Sequence, residues 1–346
     1  MVQELQSFYA RHETNNQSRQ EGWRNLEQLQ EIKKALKQAE RIAIFTHTNP
    51  DGDALGSSFA MKAVLTALGK QAVLFLETDI PERFSFLNDG YSLRGDASDF
   101  DVALALDCGA ANRLGELKDL YQAIGLRLVL DHHCADAPFG DVYYSDPDAA
   151  ACAELVYDVA LSLLPALPDA AVTALYTGIS TDTGHFKYSN VTAKTFTIAA
   201  ELISRGLDQR AITRRLYDTV KLDKLKFTGA LAERVRLHAQ GRVAVLFCPD
   251  SLLEAFHLAH EEVEELPNTV LSIEGVLVSA IIKEKDSDRL KISLRCKENI
   301  NVAHLAAEFG GGGHACAAGF VTELSAEAIE KQLVTMIVKR LEELDE

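Results

Sequence analysis

This chain is short of positive charge. Its 35 lysines and arginines stand against 51 aspartates and glutamates, a formal net charge of −16 over 346 residues. Such a surface repels phosphate backbones, which excludes electrostatic capture of long duplex DNA, and any anionic substrate must meet a local positive site. The six cysteines, Cys108, Cys134, Cys152, Cys248, Cys296 and Cys316, form no Cys-x-x-Cys pair. That spacing rules out a small disulfide framework and fits a reducing cytoplasm. The opening MVQELQSFYARHETNNQSRQEGW has no apolar core, and the most apolar later stretch is broken by Asp158, Pro165, Pro168 and Asp169. Neither an export signal nor a membrane span is expected. Internal repeats and low-complexity tracts are missing too. What remains, with 47% hydrophobic and 25% charged residues, is a globular chain, too long for one domain of about 100–200 residues.

Periodicity predicts an α/β fold, a parallel-sheet domain joined by a helical linker to a smaller α/β domain. Strands are expected at 42–46, 72–76, 102–106 and 126–130, and helices at 54–68, 149–164, 169–180 and 191–203, the last stopped by Gly206. The runs VALAL and LRLVL are continuously apolar, as parallel strands covered on both faces must be. Residues 1–25 read as a polar tail and 26–215 as the first domain. The charged stretch VKLDKLKFTGALAERVRLHAQ lies in a helical linker, 216–240, and 241–346 form the second domain. Its final helix carries a stripe of Ile329, Leu333, Met336, Ile337, Leu341 and Leu344, which reads as core-facing.

The chemistry lies just after the strands. IAIFT runs into His47, Asp51 and Asp53, VALAL into Asp107, and LRLVL into Asp131, His132 and His133, while TGISTDTG adds Asp182. In an open parallel sheet the carboxyl ends of the strands form the ligand crevice, so these scattered residues converge. One acid or imidazole after a strand is ordinary turn chemistry. Together they form a cluster of carboxylates that repel one another unless cations neutralise them. Imidazole mixed with carboxylate favours Mn²⁺ over Mg²⁺, with Co²⁺ a further candidate. The H-x-x-x-D-x-D spacing lets His47 and Asp51 face one ion and Asp53 a neighbour, leaving Asp107 to bridge and His132 and Asp182 to complete the second. Two ions about 3.5–4 Å apart suit in-line phosphoryl hydrolysis.

A second cluster, Gly310, Gly311, Gly312, Gly313 and His314, follows a short helix. By itself it reads as a flexible loop, but Arg295 nearby makes an anion fork plausible. Arg113 and Lys187 are the candidates for positive charge beside the acidic crevice. The cysteines are assigned to packing.

The ordered segments HTNPDGDALGS, LDCGAANR, DHH, TDTGHFKY and FGGGGHACAAG resemble the DHH phosphoesterase superfamily with its DHH-associated C-terminal domain. The likeness is greatest to the NrnA-like oligoribonuclease and 3′-phosphoadenosine 5′-phosphate phosphatase group, and it covers about residues 40–320. It implies a catalytic domain and a nucleotide-binding domain. His47, Asp51 and Asp107 would hold one Mn²⁺, and Asp53, Asp107, His132 and Asp182 the other. Asp131 would orient the DHH turn, His133 would contact the scissile phosphate, and Arg295, Gly311, Gly312, Gly313 and His314 would grip the nucleotide. Lys187 stands where many relatives have Arg, and Cys296 where Ser is frequent. The expected activity is hydrolysis of short oligonucleotides to mononucleotides, and of 3′-phosphoadenosine 5′-phosphate to AMP. The alternatives are a cyclic or linear dinucleotide phosphodiesterase (c-di-AMP, pApA), a non-catalytic nucleotide-binding module and an inorganic pyrophosphatase. Substrates would be short, without long duplex DNA or membrane, and exposed apolar stripes leave room for a homodimer.

Overall fold

A computed structural model describes residues 27–93, 95–96, 99–134, 138–263, 265–286, 288–297 and 300–345. The expected tail, 1–25, and the side chain of His314 lie outside the described residues. The chain divides into two compact units between Asp218 and Thr219.

In the first unit, helix α1 (27–38) precedes strand β1 (Arg41–Phe45). The further strands are β2 (Gln71–Leu76), β3 (Ser92–Leu93), β4 (Val102–Leu106), β5 (Leu126–Asp131) and β6 (Val142–Ser145). All pair in parallel, in the order β3-β2-β1-β4-β5-β6. Between and after them come α2 (Gly52–Ala67), α3 (Lys118–Ala123), α4 (Cys152–Leu163), α5 (Asp169–Asp182), α6 (Ala193–Ser204) and α7 (Gln209–Leu216). Ile42 and Ile44 of β1 belong to one core with Leu55, Val156 and Leu175. Ala43 and Phe45 belong to another with Phe75, Leu114 and Tyr121. Burial of both faces is why these strands are apolar at every position. The strand order reverses between β1 and β4, and the crevice outside such a reversal is where open α/β sheets bind ligands.

Helices α2 and α5 approach so closely that glycine is required between them. A Cβ on Gly56 would lie 2.5 Å from the Ala174 carbonyl oxygen and 2.7 Å from the Gly178 nitrogen, and one on Gly52 would strike the Thr181 side chain. One turn of α2 therefore sets where Asp53, beside Gly52, meets Asp182 at the end of α5.

The second unit contains α8 (Leu222–Ala232), β7 (Arg236–His238), β8 (Val243–Cys248), α9 (Asp250–Ala255), α10 (Leu266–Leu271) and β9 (Val278–Asp286). It continues with β10 (Arg289–Cys296), α11 (Val302–Ala307), β11 (Gly312–His314), β12 (Ala317–Thr322) and α12 (Ala326–Asp345). The sheet order is β11-β12-β10-β9-β8-β7, with β8 and β9 parallel and the other pairs antiparallel. Ile329, Leu333, Ile337 and Leu341 of α12 join Ile292 and Phe320 on one face. Phe227 and Leu231 of α8 join Leu246 and Ile281 on the other.

Two segments differ from expectation. The stretch expected to be helical throughout, 216–240, holds α8 and then strand β7. Arg236 and His238, two residues apart and so on one face of a strand, both pair with the buried Glu330 of α12. That acid favours the extended conformation over a continued helix. The glycine run, whose composition alone suggested a loop, ends in the edge strand β11. A Cβ on Gly311 would run into Gly319 and Phe320, and one on Gly313 into Ala317. No described helix is long and apolar enough to cross a membrane.

Replacing a helical glycine by alanine ordinarily gains about 1 kcal/mol of helix propensity. Gly56→Ala is expected to do the reverse and cost about 1–3 kcal/mol through overpacking. Thermal unfolding checks this, and a Tm equal to or above that of the parent would refute the close-packed α2–α5 contact.

Candidate metal centre

Each functional side chain is placed by a strand end or a helix start. His47 follows β1 and is 5% exposed. Its Nδ1 donates to the Thr48 carbonyl at 2.8 Å, and a carbonyl can only accept, so Nε2 is left to face the acids. Asp51 caps α2, with Oδ1 accepting from the backbone N–H groups of Asp53 and Ala54, both at 3.0 Å. Asp53 is buried and lies against the start of α4. Its Oδ2 accepts from the Cys152 N–H at 2.6 Å and its Oδ1 from the Ala153 N–H at 3.0 Å, so a helix N-terminus holds the carboxylate. Ser57 also donates to Oδ1.

Asp107, directly after β4, has φ 53, the left-handed region that Asp tolerates better than most residues. The cost of that backbone is of order 1–3 kcal/mol, and it directs a buried carboxylate into the crevice. His132 donates from Nδ1 to the Ala149 carbonyl at 3.2 Å, so its Nε2 also faces the acids. Asp131, fully buried, accepts on Oδ1 from the His132 N–H, the His133 N–H and His133 Nδ1 at 2.8, 3.2 and 2.9 Å.

The result is one cluster. His47 Nε2 lies 4.0 Å from Asp51 and 3.8 Å from Asp107 Oδ2. His132 Nε2 lies 3.8, 3.5 and 3.7 Å from Asp53, Asp107 Oδ1 and Asp182. Three donor sets form, His47–Asp51–Asp107, Asp53–His132–Asp182 and Asp107–His132–His133. These separations exceed normal hydrogen bonds and approach the spacing of donors that share one ion at about 2.0–2.2 Å. Asp107 Oδ1 is buried without a hydrogen-bond partner, as expected of an oxygen reserved for a cation.

The electrostatics agree. Burial, then Asp107 and Asp182, raises the Asp53 carboxyl well above its ordinary value. Burial, with Asp107 and Asp51 adding to it, raises Asp182 to about 6. Burial works against the His132 imidazolium, yet Asp107, Asp53 and Asp182 raise it to about 10. His133 is raised chiefly by its hydrogen bond to Asp131.

The remaining expected residues lie in two places. Arg113 is near the cluster: its carbonyl accepts from the Thr48 N–H at 2.8 Å and its charge is felt at Cys108. Lys187 is exposed, after a turn in which Gly184, His185 and Phe186 have φ 56, 60 and 62. Arg295, on β10, pairs in register with Ala317, which pairs in turn with His314 of β11. These three backbone positions cross the second unit's sheet in one row. Sequence reasoning missed the Thr48 and Ala149 carbonyls and the start of α4. It also missed Asn190, whose Nδ2 donates to the carbonyls of Ala150 and Asp182. Backbone groups have no residue signature, so only Asn190 carried a signal.

Residues 41–179 match the DHH family, N-terminal domain, and residues 240–343 match the DHHA1 domain. The chain is 30% identical over 301 residues to the bifunctional oligoribonuclease and PAP phosphatase NrnA of Thermus thermophilus, covering 86% of this chain and 88% of the relative. The chain belongs to the DHH phosphoesterase family. A second relative of the same name, from Bacillus subtilis, is 30% identical over 294 residues, 84% of this chain and 91% of its own. A crystal structure of an exopolyphosphatase-related protein from Bacteroides fragilis superposes with TM-score 0.85 at 26% identity, covering 93% and 98% of the two chains. As a DHH phosphoesterase the chain is a hydrolase of phosphoester bonds. Membership also implies divalent-metal chemistry, and the orphaned Asp107 oxygen and the two inward-facing Nε2 atoms fit it.

Because Asp182 is raised to about 6 from an ordinary 3.8, the folded metal-free protein holds that proton more tightly than the unfolded chain. Stability from this group is therefore greatest below about pH 4 and falls as the pH rises towards 6. A divalent cation should flatten that fall. Cation uptake at pH 7 should also release protons, including the one on His132 Nε2. Thermal unfolding with chelator and with Mn²⁺ checks the first expectation, and calorimetry in buffers of different ionisation enthalpy checks the second. Identical pH profiles with and without cation would refute the site.

Proposed function

We propose that this chain is a two-Mn²⁺ phosphoesterase that hydrolyses short oligonucleotides to mononucleotides and removes the 3′-phosphate of 3′-phosphoadenosine 5′-phosphate. The observation that carries the reading is the sharing of Asp107. Its two oxygens face different imidazoles, His47 on one side and His132 on the other, so both donor sets would share this carboxylate. His47, Asp51 and Asp107 hold one ion, and Asp53, Asp107, His132 and Asp182 the other. The names of the 30%-identical relatives support the substrate class.

Bound ions would supply charge neutralisation at the phosphate and activation of the attacking water. The protein's own groups do the rest. Asp131 holds the His133 imidazole through Nδ1 and favours its cationic form, so Nε2–H can donate to a non-bridging phosphate oxygen. Arg113 and Lys187 add the local positive charge that the acidic surface lacks. In the second domain, 241–346, Arg295 with Gly311, Gly312, Gly313 and His314 grips the nucleotide. Mn²⁺ is the favoured ion because each set mixes imidazole with carboxylate, with Mg²⁺ or Co²⁺ as substitutes. With a net charge of −16, the surface as a whole repels phosphates beyond the site, so long duplex DNA gains little by binding.

Asp107→Ala should lower turnover by more than about 100-fold, since even residues that only orient metal ligands cost 10–100-fold. Near-normal activity of this variant at saturating Mn²⁺ would refute the assigned centre. Across a panel of dinucleotide, pentamer, 20-mer, 3′-phosphoadenosine 5′-phosphate, c-di-AMP and pyrophosphate, kcat/KM should fall from two to about twenty nucleotides with a shallow salt dependence. Better cleavage of the 20-mer, lost steeply on adding salt, would point instead to a nuclease that tracks long strands.

A further inference from the structure

Two cysteines far apart in sequence face each other in the second unit. Arg295 of β10 pairs in register with Ala317 of β12, and the next antiparallel position brings Cys296 opposite Cys316. The Cys296 N–H donates to the Cys316 carbonyl at 3.1 Å. The Cys296 thiol donates to the Ile300 carbonyl at 2.6 Å, and the Cys316 thiol is near enough to act on it electrostatically. Directly opposed residues in antiparallel strands have Cα atoms about 4.5–5.5 Å apart, inside the roughly 4.4–6.8 Å range that a disulfide spans.

The two thiols differ in environment. Cys316 is exposed and Cys296 buried. Burial, and then the neighbouring Cys316 thiol, pushes Cys296 up to about 12. The chain between them carries α11, the glycine run and β11. Its end is fixed by two backbone bonds, Cys296 N–H to the Cys316 carbonyl and Val302 N–H to the Ala315 carbonyl at 2.8 Å.

We propose that Cys296 and Cys316 are a reversible dithiol–disulfide pair that responds to peroxide and, when closed, restrains the segment bearing Gly310–His314. The exposed Cys316 reacts first. Its sulfur attacks hydrogen peroxide, an S–O bond forms, the O–O bond breaks, and the departing hydroxide takes the Cys316 proton to leave as water. The Cys296 sulfur then attacks that of the Cys316 sulfenic acid, forming S–S and breaking S–O, and the second hydroxide takes the Cys296 proton. One peroxide is reduced to two waters as two thiols are oxidised, and a dithiol reductant restores the pair. The buried thiol suits the second step, because it is shielded from peroxide but already beside its target. Closure ties together the ends of the segment assigned above to nucleotide grip, so its effect on substrate rests on that reading.

The test treats the full-length Mn²⁺-loaded protein with hydrogen peroxide, quenches with catalase, and maps disulfides by mass spectrometry of non-reduced peptides. KM for a dinucleotide and binding of AMP by equilibrium dialysis are measured in parallel. The expected result is a Cys296–Cys316 cross-linked peptide, with KM raised about five-fold or more, the lower end of usual coupling between sites. Dithiothreitol should reverse both changes. Cys316→Ser, at an exposed position, should keep the reduced protein's KM and abolish both cross-link and peroxide response. Oxidation of Cys316 without that cross-link would overturn the pair, and a cross-link that leaves KM and AMP binding unchanged would overturn its control of the grip. If the reduced protein neither cleaves nor binds nucleotide, the nucleotide reading fails, while the peptide map still decides the redox pair.

Discussion

Three carboxylates, Asp53, Asp107 and Asp182, surround one imidazole nitrogen at 3.5–3.8 Å, and two of the three are almost completely buried. Like charges in a low-dielectric pocket oppose one another strongly, so such a cluster persists only if protons or cations occupy it. His132 held protonated to about pH 10 and Asp182 raised to about 6 express the first solution. Divalent cations are the second, and the rest of the first unit is arranged so that the donors cannot separate to escape their repulsion.

That arrangement uses backbone more than side chains. Asp53 cannot swing away because two N–H groups at the start of α4 hold its oxygens. Asp51 is committed to capping α2. Both imidazoles that face the acids are fixed from behind by carbonyls, those of Thr48 and Ala149, which also sets the tautomer that leaves Nε2 inward. The close α2–α5 crossing at Gly52 and Gly56 brings the segments bearing Asp53 and Asp182 together. Packing and chemistry are therefore one constraint here, since a methyl group added to either glycine changes the distance between two prospective ligands.

The parts legible in the sequence are those encoded by residue type. VALAL and LRLVL read as central strands because burial on both faces leaves no polar position, and β4 and β5 lie there. His47, Asp107 and His132 stood out because a strand end in an open parallel sheet is where ligands bind, and the structure gathers them. What stayed hidden is encoded by three-dimensional proximity. The helical expectation across Arg236–His238 missed Glu330, nearly a hundred residues later. Gly311 and Gly313 suggested flexibility because glycine usually breaks structure, whereas here its missing Cβ lets β11 lie against β12. Cys296 and Cys316 looked like packing because no short spacing links them. Their adjacency follows from the β10–β12 register, which the sequence does not print.

The two units place chemistry on different kinds of atoms. In the first, the candidate ligands are side chains, several of them buried, in strained or capped positions, such as Asp107 at φ 53, where almost any substitution removes a donor or a cap. In the second, the proposed grip is built largely from glycine backbone on an edge strand, with Arg295 as its one described charged member. A backbone anion site keeps its donors whatever the neighbouring side chains are, so positions such as Cys296 and Cys316 can change without erasing it. Bond-breaking chemistry is thus held where sequence tolerates little. The proposed grip asks for something else, missing Cβ atoms at Gly311 and Gly313 and free backbone donors, neither of which dictates the side chains at Cys296 and Cys316.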